Sequence, residues 1–172
     1  MSEAETLSPI LPDDIEAAAA DLLNAACDAD VKLATAESCT GGLLASLLTD
    51  VEGASHAFER GFAVYTEDAK TEMLGVSPDM IDAHGAVSEP VARAMAEGTI
   101  ARSRADIALA ITGYAGTAPG DEEDGLVHFA CARRGGATDH RVAHFGGIGR
   151  GPVRISSLRI ALDMMRQAVD RN

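Results

Sequence analysis

The chain has no tryptophan, two tyrosines and four phenylalanines, so aromatic residues fill 3% of its 172 positions. A core without large rings must be built from Ala, Val, Ile, Leu and Met, which suits helices packed on a buried sheet. Positive charge is also scarce: 14 Lys and Arg stand against 27 Asp and Glu, for a net charge of -13. That balance repels phosphate backbones and anionic lipid headgroups. Arg133, Arg134, Arg150, Arg154 and Arg159 are too scattered to form a nucleic-acid footprint, so neither nucleic acid nor a membrane surface is an expected partner. No apolar run approaches a membrane span, and the acidic start with Glu3, Glu5, Asp13 and Asp14 is unlike a signal peptide. Cys27, Cys39 and Cys131 are odd in number and form no Cys-x-x-Cys pair, which points to a reducing, cytoplasmic setting. His56, His84, His128, His140 and His144 show no metal-ligand spacing, and His140 and His144 fall four apart on an expected strand rather than a helix. No metal and no cofactor are expected.

What is present is the pattern of one α/β domain. Residues 1–12 read as a flexible tail and residues 13–172 as the domain. A first helix carries Ile15, Ala18, Ala19, Leu22, Leu23 and Ala26 on one face and ends near Asp28. A buried strand over 31–36 leads through Ser38-Cys39-Thr40-Gly41-Gly42 into an apolar helix over 43–48. A second strand, 61–65, runs into a helix from Glu67 with Lys70 in its first turn. Ser77 with Pro78, and Ser88 with Glu89 and Pro90, open two further helices. Strands over 106–112, 126–132 and 138–145 follow, and the last helix shows Val153, Leu158, Ala161, Leu162, Met165 and Val169 on one face. Early alternation of strands and helices followed by a late hairpin predicts a three-layer α/β/α sandwich with a mixed, mainly parallel sheet.

Ser38 stands where a strand gives way to a helix, a position that exposes a nucleophile at the end of a parallel sheet. Amides of Thr40, Gly41 and Gly42 are candidate donors to a developing oxyanion. The competing role for Ser38 or Thr40 is a plain helix N-cap, and spacing alone favours it. Cys39 is a rival nucleophile, with nothing nearby in sequence to hold it as thiolate. No Ser-His-Asp set is evident, but a lysine serves as base when burial lowers its pKa from about 10.4. Lys32 and Lys70 are the only lysines in the chain.

Four segments in order, Thr35 to Gly42, Phe58 to Tyr65, Ala69-Lys70 and His84 to Glu89, resemble successive signatures of the CinA C-terminal domain family, the nicotinamide-nucleotide amidases. The resemblance implies an α/β amidohydrolase that converts nicotinamide mononucleotide to nicotinate mononucleotide and ammonia without a cofactor. It implies Ser38 as nucleophile, Lys70 as base and Tyr65 in the same pocket. Glu37, Thr40, Gly41, Gly42, Thr112, Gly113, Gly116, Arg150 and Arg154 are the candidate contacts to a small pyridine nucleotide, and Glu37 and Glu89 are the acids able to face its cationic ring. Longer members carry an N-terminal domain with no counterpart here, so a stand-alone amidase is expected, and self-association as a homodimer or higher homo-oligomer is left open. The loop from Thr112 to Gly125 departs from the family pattern: its proline stands later, at Pro119, and Asp121, Glu122, Glu123 and Asp124 replace a lysine-bearing stretch. That departure supports an alternative, a catalytically weak or inactive member that binds a ligand or partner.

Overall fold

Alternating side chains divide the strands between two faces, and the two faces differ in size. In the computed structural model, which describes residues 11–171, five strands form one sheet in the order β2-β1-β3-β4-β5. β1 (Leu33–Glu37) is parallel to both β2 (Phe58–Ala63) and β3 (Ile107–Gly113), while β4 (Leu126–Arg133) and β5 (Thr138–His144) are added antiparallel. The sheet is therefore mixed, with its parallel strands grouped around β1.

Leu33, Ile107, Leu109, Ile111, Val127 and Phe129 face α1 (Asp13–Asp28) and α6 (Arg150–Asp170), where they join Ile15, Leu22, Leu158 and Met165 in one cluster. The opposite face presents Ala36, Ala110, Ala130 and Ala132 to Val91 and Met95 of α5 (Glu89–Ala101). Alanine on that face lets a helix lie close to the strands. α3 (Glu67–Leu74) and α4 (Pro78–His84) complete the α5 layer through Leu74 and Ile81. The short α2 (Leu43–Leu47) lies with α1 and α6. This is the expected three-layer α/β/α sandwich.

Side-chain caps open two of the helices. Thr66 caps α3 by accepting from the Ala69 amide at 3.1 Å, and Ser88 caps α5 by accepting from Val91. Ser77 occupies the N-cap position of α4 before Pro78, but its side chain makes no cap bond. Strand boundaries shift by up to three residues from the sequence expectation, most at β2. β2 covers Phe58–Ala63 rather than 61–65, because Val64 makes the last rung to the Glu37 carbonyl and the carbonyls of Val64 and Tyr65 then turn toward Lys70. Leu11, assigned to the tail, is buried in the core, while residues 1–10 lie outside the described residues. Met73 on α3 is exposed. Among the described residues no helix is long and apolar enough to cross a membrane.

Candidate active site

Glu37 ends β1, and the next five residues make a tight loop that carries Ser38. Gly41 and Gly42 adopt φ of +62° and +95°, a left-handed backbone that side chains resist. Gly42, not Ser38 or Thr40, is the N-cap of α2, so the helix-cap role for these hydroxyls falls away. Glu37 supplies the cap from a distance: its buried carboxylate accepts from the amides of Gly42 (3.2 Å), Leu44 (3.0 Å) and Ala45 (2.8 Å). Arg154 holds the other side of the loop by donating to the Thr40 carbonyl at 2.8 Å. These bonds brace the loop, and neither Glu37 nor Arg154 is in the wall of the main cavity.

Lys70 is carried to the loop by the first turn of α3 and is almost fully buried, at 2% exposure. Its Nζ lies 3.1 Å from Ser38 Oγ, and 3.0 and 3.2 Å from the carbonyl oxygens of Val64 and Tyr65. The two carbonyls only accept, so they fix two N–H groups of the amine. The third position points at Ser38: an N–H when the amine is charged, a lone pair when it is neutral. Burial pushes the Lys70 pKa below the ordinary lysine value, against smaller opposing effects of Glu67 and Cys39. Burial thus eases loss of the proton beside the hydroxyl, while the two carbonyls orient the amine toward it.

Ser38, Cys39, Tyr65, Lys70, Thr112, Gly113, Gly116 and Arg150 border one cavity of about 380 Å³ at the C-terminal ends of β1 and β3. Cys39 reaches it, but burial drives its thiol up to about 11, which keeps it protonated at neutral pH. Thr112 is buried and donates to the Ala86 carbonyl at 2.9 Å, tying β3 to the loop before α5. Gly113 has no room for a side chain, since a Cβ there would lie 2.7 Å from Val127 Cγ2. Tyr65 is 65% exposed, and its hydroxyl meets Arg150 at 3.4 Å. Arg150 opens α6, where its charge and the helix N-terminus both favour an anion.

The structure does not bring every expected residue to the cavity wall. Thr40, Gly41 and Gly42 are not among the lining residues, and the Gly41 and Gly42 amides already donate to Ser38 O and Glu37 Oε2. The Cys39 amide, beside the nucleophile, donates to no carbonyl or carboxylate among the described residues. The acids of the divergent loop also lie off the main cavity: Asp124 accepts from the Ala118 amide at 2.7 Å, and Glu123 meets His144 at 2.8 Å. Asp124 does border a smaller hollow of about 190 Å³ next to Arg150. Ala86 and Val87 of the His84 to Glu89 signature line the cavity, and so do Glu67 and Tyr114, which were not named as site residues from sequence. Among the described residues no group of three or more His, Cys, Asp or Glu is placed to hold a metal.

The CinA C-terminal domain model matches residues 15–169. The chain belongs to that family. It is 56% identical over 111 residues to a CinA-like protein of Akkermansia muciniphila, which covers 63% of this chain and 27% of the relative. A CinA-like protein of Mycobacterium marinum is 46% identical over 143 residues, covering 82% of this chain and 33% of the relative. The chain thus spans about a quarter to a third of the curated CinA relatives it matches. Solved CinA structures agree with the fold. The competence/damage inducible protein CihA of Agrobacterium tumefaciens superposes with a TM-score of 0.89 at 42% identity, over 93% of this chain and 98% of that one. A CinA superfamily protein of Escherichia coli gives 0.84 at 37% identity, over 91% and 93%.

Proposed function

We propose that this CinA-family chain is a cofactor-independent amidohydrolase that converts nicotinamide mononucleotide to nicotinate mononucleotide and ammonia, with Ser38 as nucleophile and Lys70 as base. The observation that carries the reading is the buried contact of 3.1 Å between Lys70 Nζ and Ser38 Oγ, in which Lys70 has no ion-pair partner among the described residues. Neutral Lys70 takes the Ser38 proton as Oγ attacks the amide carbon. The oxyanion that forms is within the province of the Cys39 amide. Collapse breaks the C–N bond, and Lys70 returns its proton to the departing nitrogen, so ammonia leaves and an ester to Ser38 remains. Water then attacks that ester with Lys70 again as base. The carboxylic acid is released and Ser38 regains its proton.

The mononucleotide is supported by the family resemblance and by the positive charge of Arg150 at the cavity wall, which suits a phosphate. Purified protein incubated with nicotinamide mononucleotide should release ammonia, read by a coupled assay. Arg150→Ala should raise KM for the mononucleotide about tenfold, the size of a charge-assisted contact, and leave activity on the phosphate-free riboside unchanged. Absence of ammonia from the mononucleotide, the riboside and simple aromatic amides alike would sink the hydrolase reading and favour a binding module.

A further inference from the structure

Both tyrosines of this aromatic-poor chain border the same cavity, Tyr65 before α3 and Tyr114 just beyond β3. Glu67, in the first turn of α3, lines that cavity too and is open to solvent. Its negative field reaches both neighbours: it favours charge on Lys70, and, after burial and Glu122, it opposes ionisation of the Tyr114 phenol. Glu67 forms no ion pair among the described residues, while the cation on the same cavity, Arg150, is turned to the Tyr65 hydroxyl. A free carboxylate near two phenol rings attracts a flat organic cation, because the ring faces are electron-rich and the carboxylate adds direct charge attraction. A neutral ring of the same shape gains neither.

Resting on the amidase reading above, we infer that Glu67, with Tyr65 and Tyr114, selects the substrate by the charge of its ring, favouring an amide on a cationic aromatic ring over the same amide on a neutral one. Glu67 is a specificity-determining residue here and takes no part in bond breaking. Arg150 on the same cavity suits an anionic group elsewhere in the molecule, so the cavity as a whole is matched to a zwitterion.

The test separates ring charge from everything else. In a Ser38→Ala background that halts turnover, calorimetry compares nicotinamide mononucleotide with its reduced 1,4-dihydropyridine form, which keeps phosphate and carboxamide but has a neutral ring. The oxidised form should bind more tightly. Glu67→Gln should shrink that preference about fivefold, the scale of an exposed charge pair, with the reduced form bound as before. Tyr114→Phe, which keeps the ring face, should retain the preference, and Tyr114→Leu should lose part of it. An unchanged ratio in Glu67→Gln, or equal weakening of both ligands, overturns the inference and leaves the hydrolase reading in place. Failure of both ligands to bind removes the mononucleotide as substrate and the inference with it.

Discussion

A lysine amine takes a proton from serine only after losing its own, so activity should follow the neutral fraction of Lys70. Burial holds the Lys70 pKa below its ordinary value of 10.5. The rate of ammonia release should therefore climb with pH and level off, with its midpoint below that value. Lys70→Arg, charged at every accessible pH, should be inactive across the whole profile, and a rate that still rose with pH in that variant would place the base elsewhere. If the pair acts as one unit, as proposed, Ser38→Ala and Lys70→Ala should each reduce kcat about a thousandfold or more, with the double variant little worse. Cys39→Ala should stay active, its thiol being pushed up to about 11. That Ser38 and Lys70 meet in one cavity was legible because a family motif and a shortage of lysine both marked them. The bracing bonds of Glu37 and Arg154 were not legible, for a physical reason. Their partners are backbone groups, the Leu44 and Ala45 amides of α2 for one and the Thr40 carbonyl of the Ser38 loop for the other, and backbone groups leave no trace in residue type. Tyr114 had one faint signal, that it is one of only two tyrosines.

Among the elements, α5 lies against α3 at Gly98, where a Cβ would fall on the Leu74 carbonyl oxygen. Alanine is intrinsically better than glycine in a helix by about 1 kcal/mol, yet overpacking against rigid backbone outweighs this, at roughly 1–3 kcal/mol. Gly98→Ala should thus lower the urea midpoint and leave the pattern of the circular dichroism spectrum intact. Where β4 and β5 meet α5, His128 and His140 stack with ring nitrogens 3.0 Å apart, and His140 lies 3.5 Å from Glu89, which also binds Arg93. Burial is the main cause lowering both histidine pKa values, with Glu89 opposing and with Arg93 and His144 among the smaller charges. The unfolded chain takes up protons first as pH falls below 6.5, so this contribution to stability is full above that pH and is lost beneath it. The urea midpoint should drop from pH 7.5 to 5.5, and less steeply in His128→Asn. The order of helices and strands was readable from periodicity and caps, including the Thr138 strand and the late hairpin. The start of β2 was not, because its register is set by pairing of Phe58 with Leu33 across a bulge, and its end by the turn of two carbonyls toward Lys70.

Over the whole molecule, a net charge of -13 would spread repulsion widely if the arginines were idle. Several are placed to bridge elements: Arg159 binds Asp14 and Arg166 binds Asp21, seven residues further along both helices, so α1 and α6 run side by side in the same direction. Such exposed pairs add little stability each, and the register of the two helices rests mainly on the apolar cluster between them and the sheet. α6 has a further consequence. Its first residue, Arg150, stands in the cavity wall, and 21 residues of helix carry the chain about 30 Å from there to Asp170. An anchor fixed just after Asp170 therefore sits at the far end of a rigid rod from the opening, and protein tethered to a bead or an electrode by that end presents its cavity to the solution.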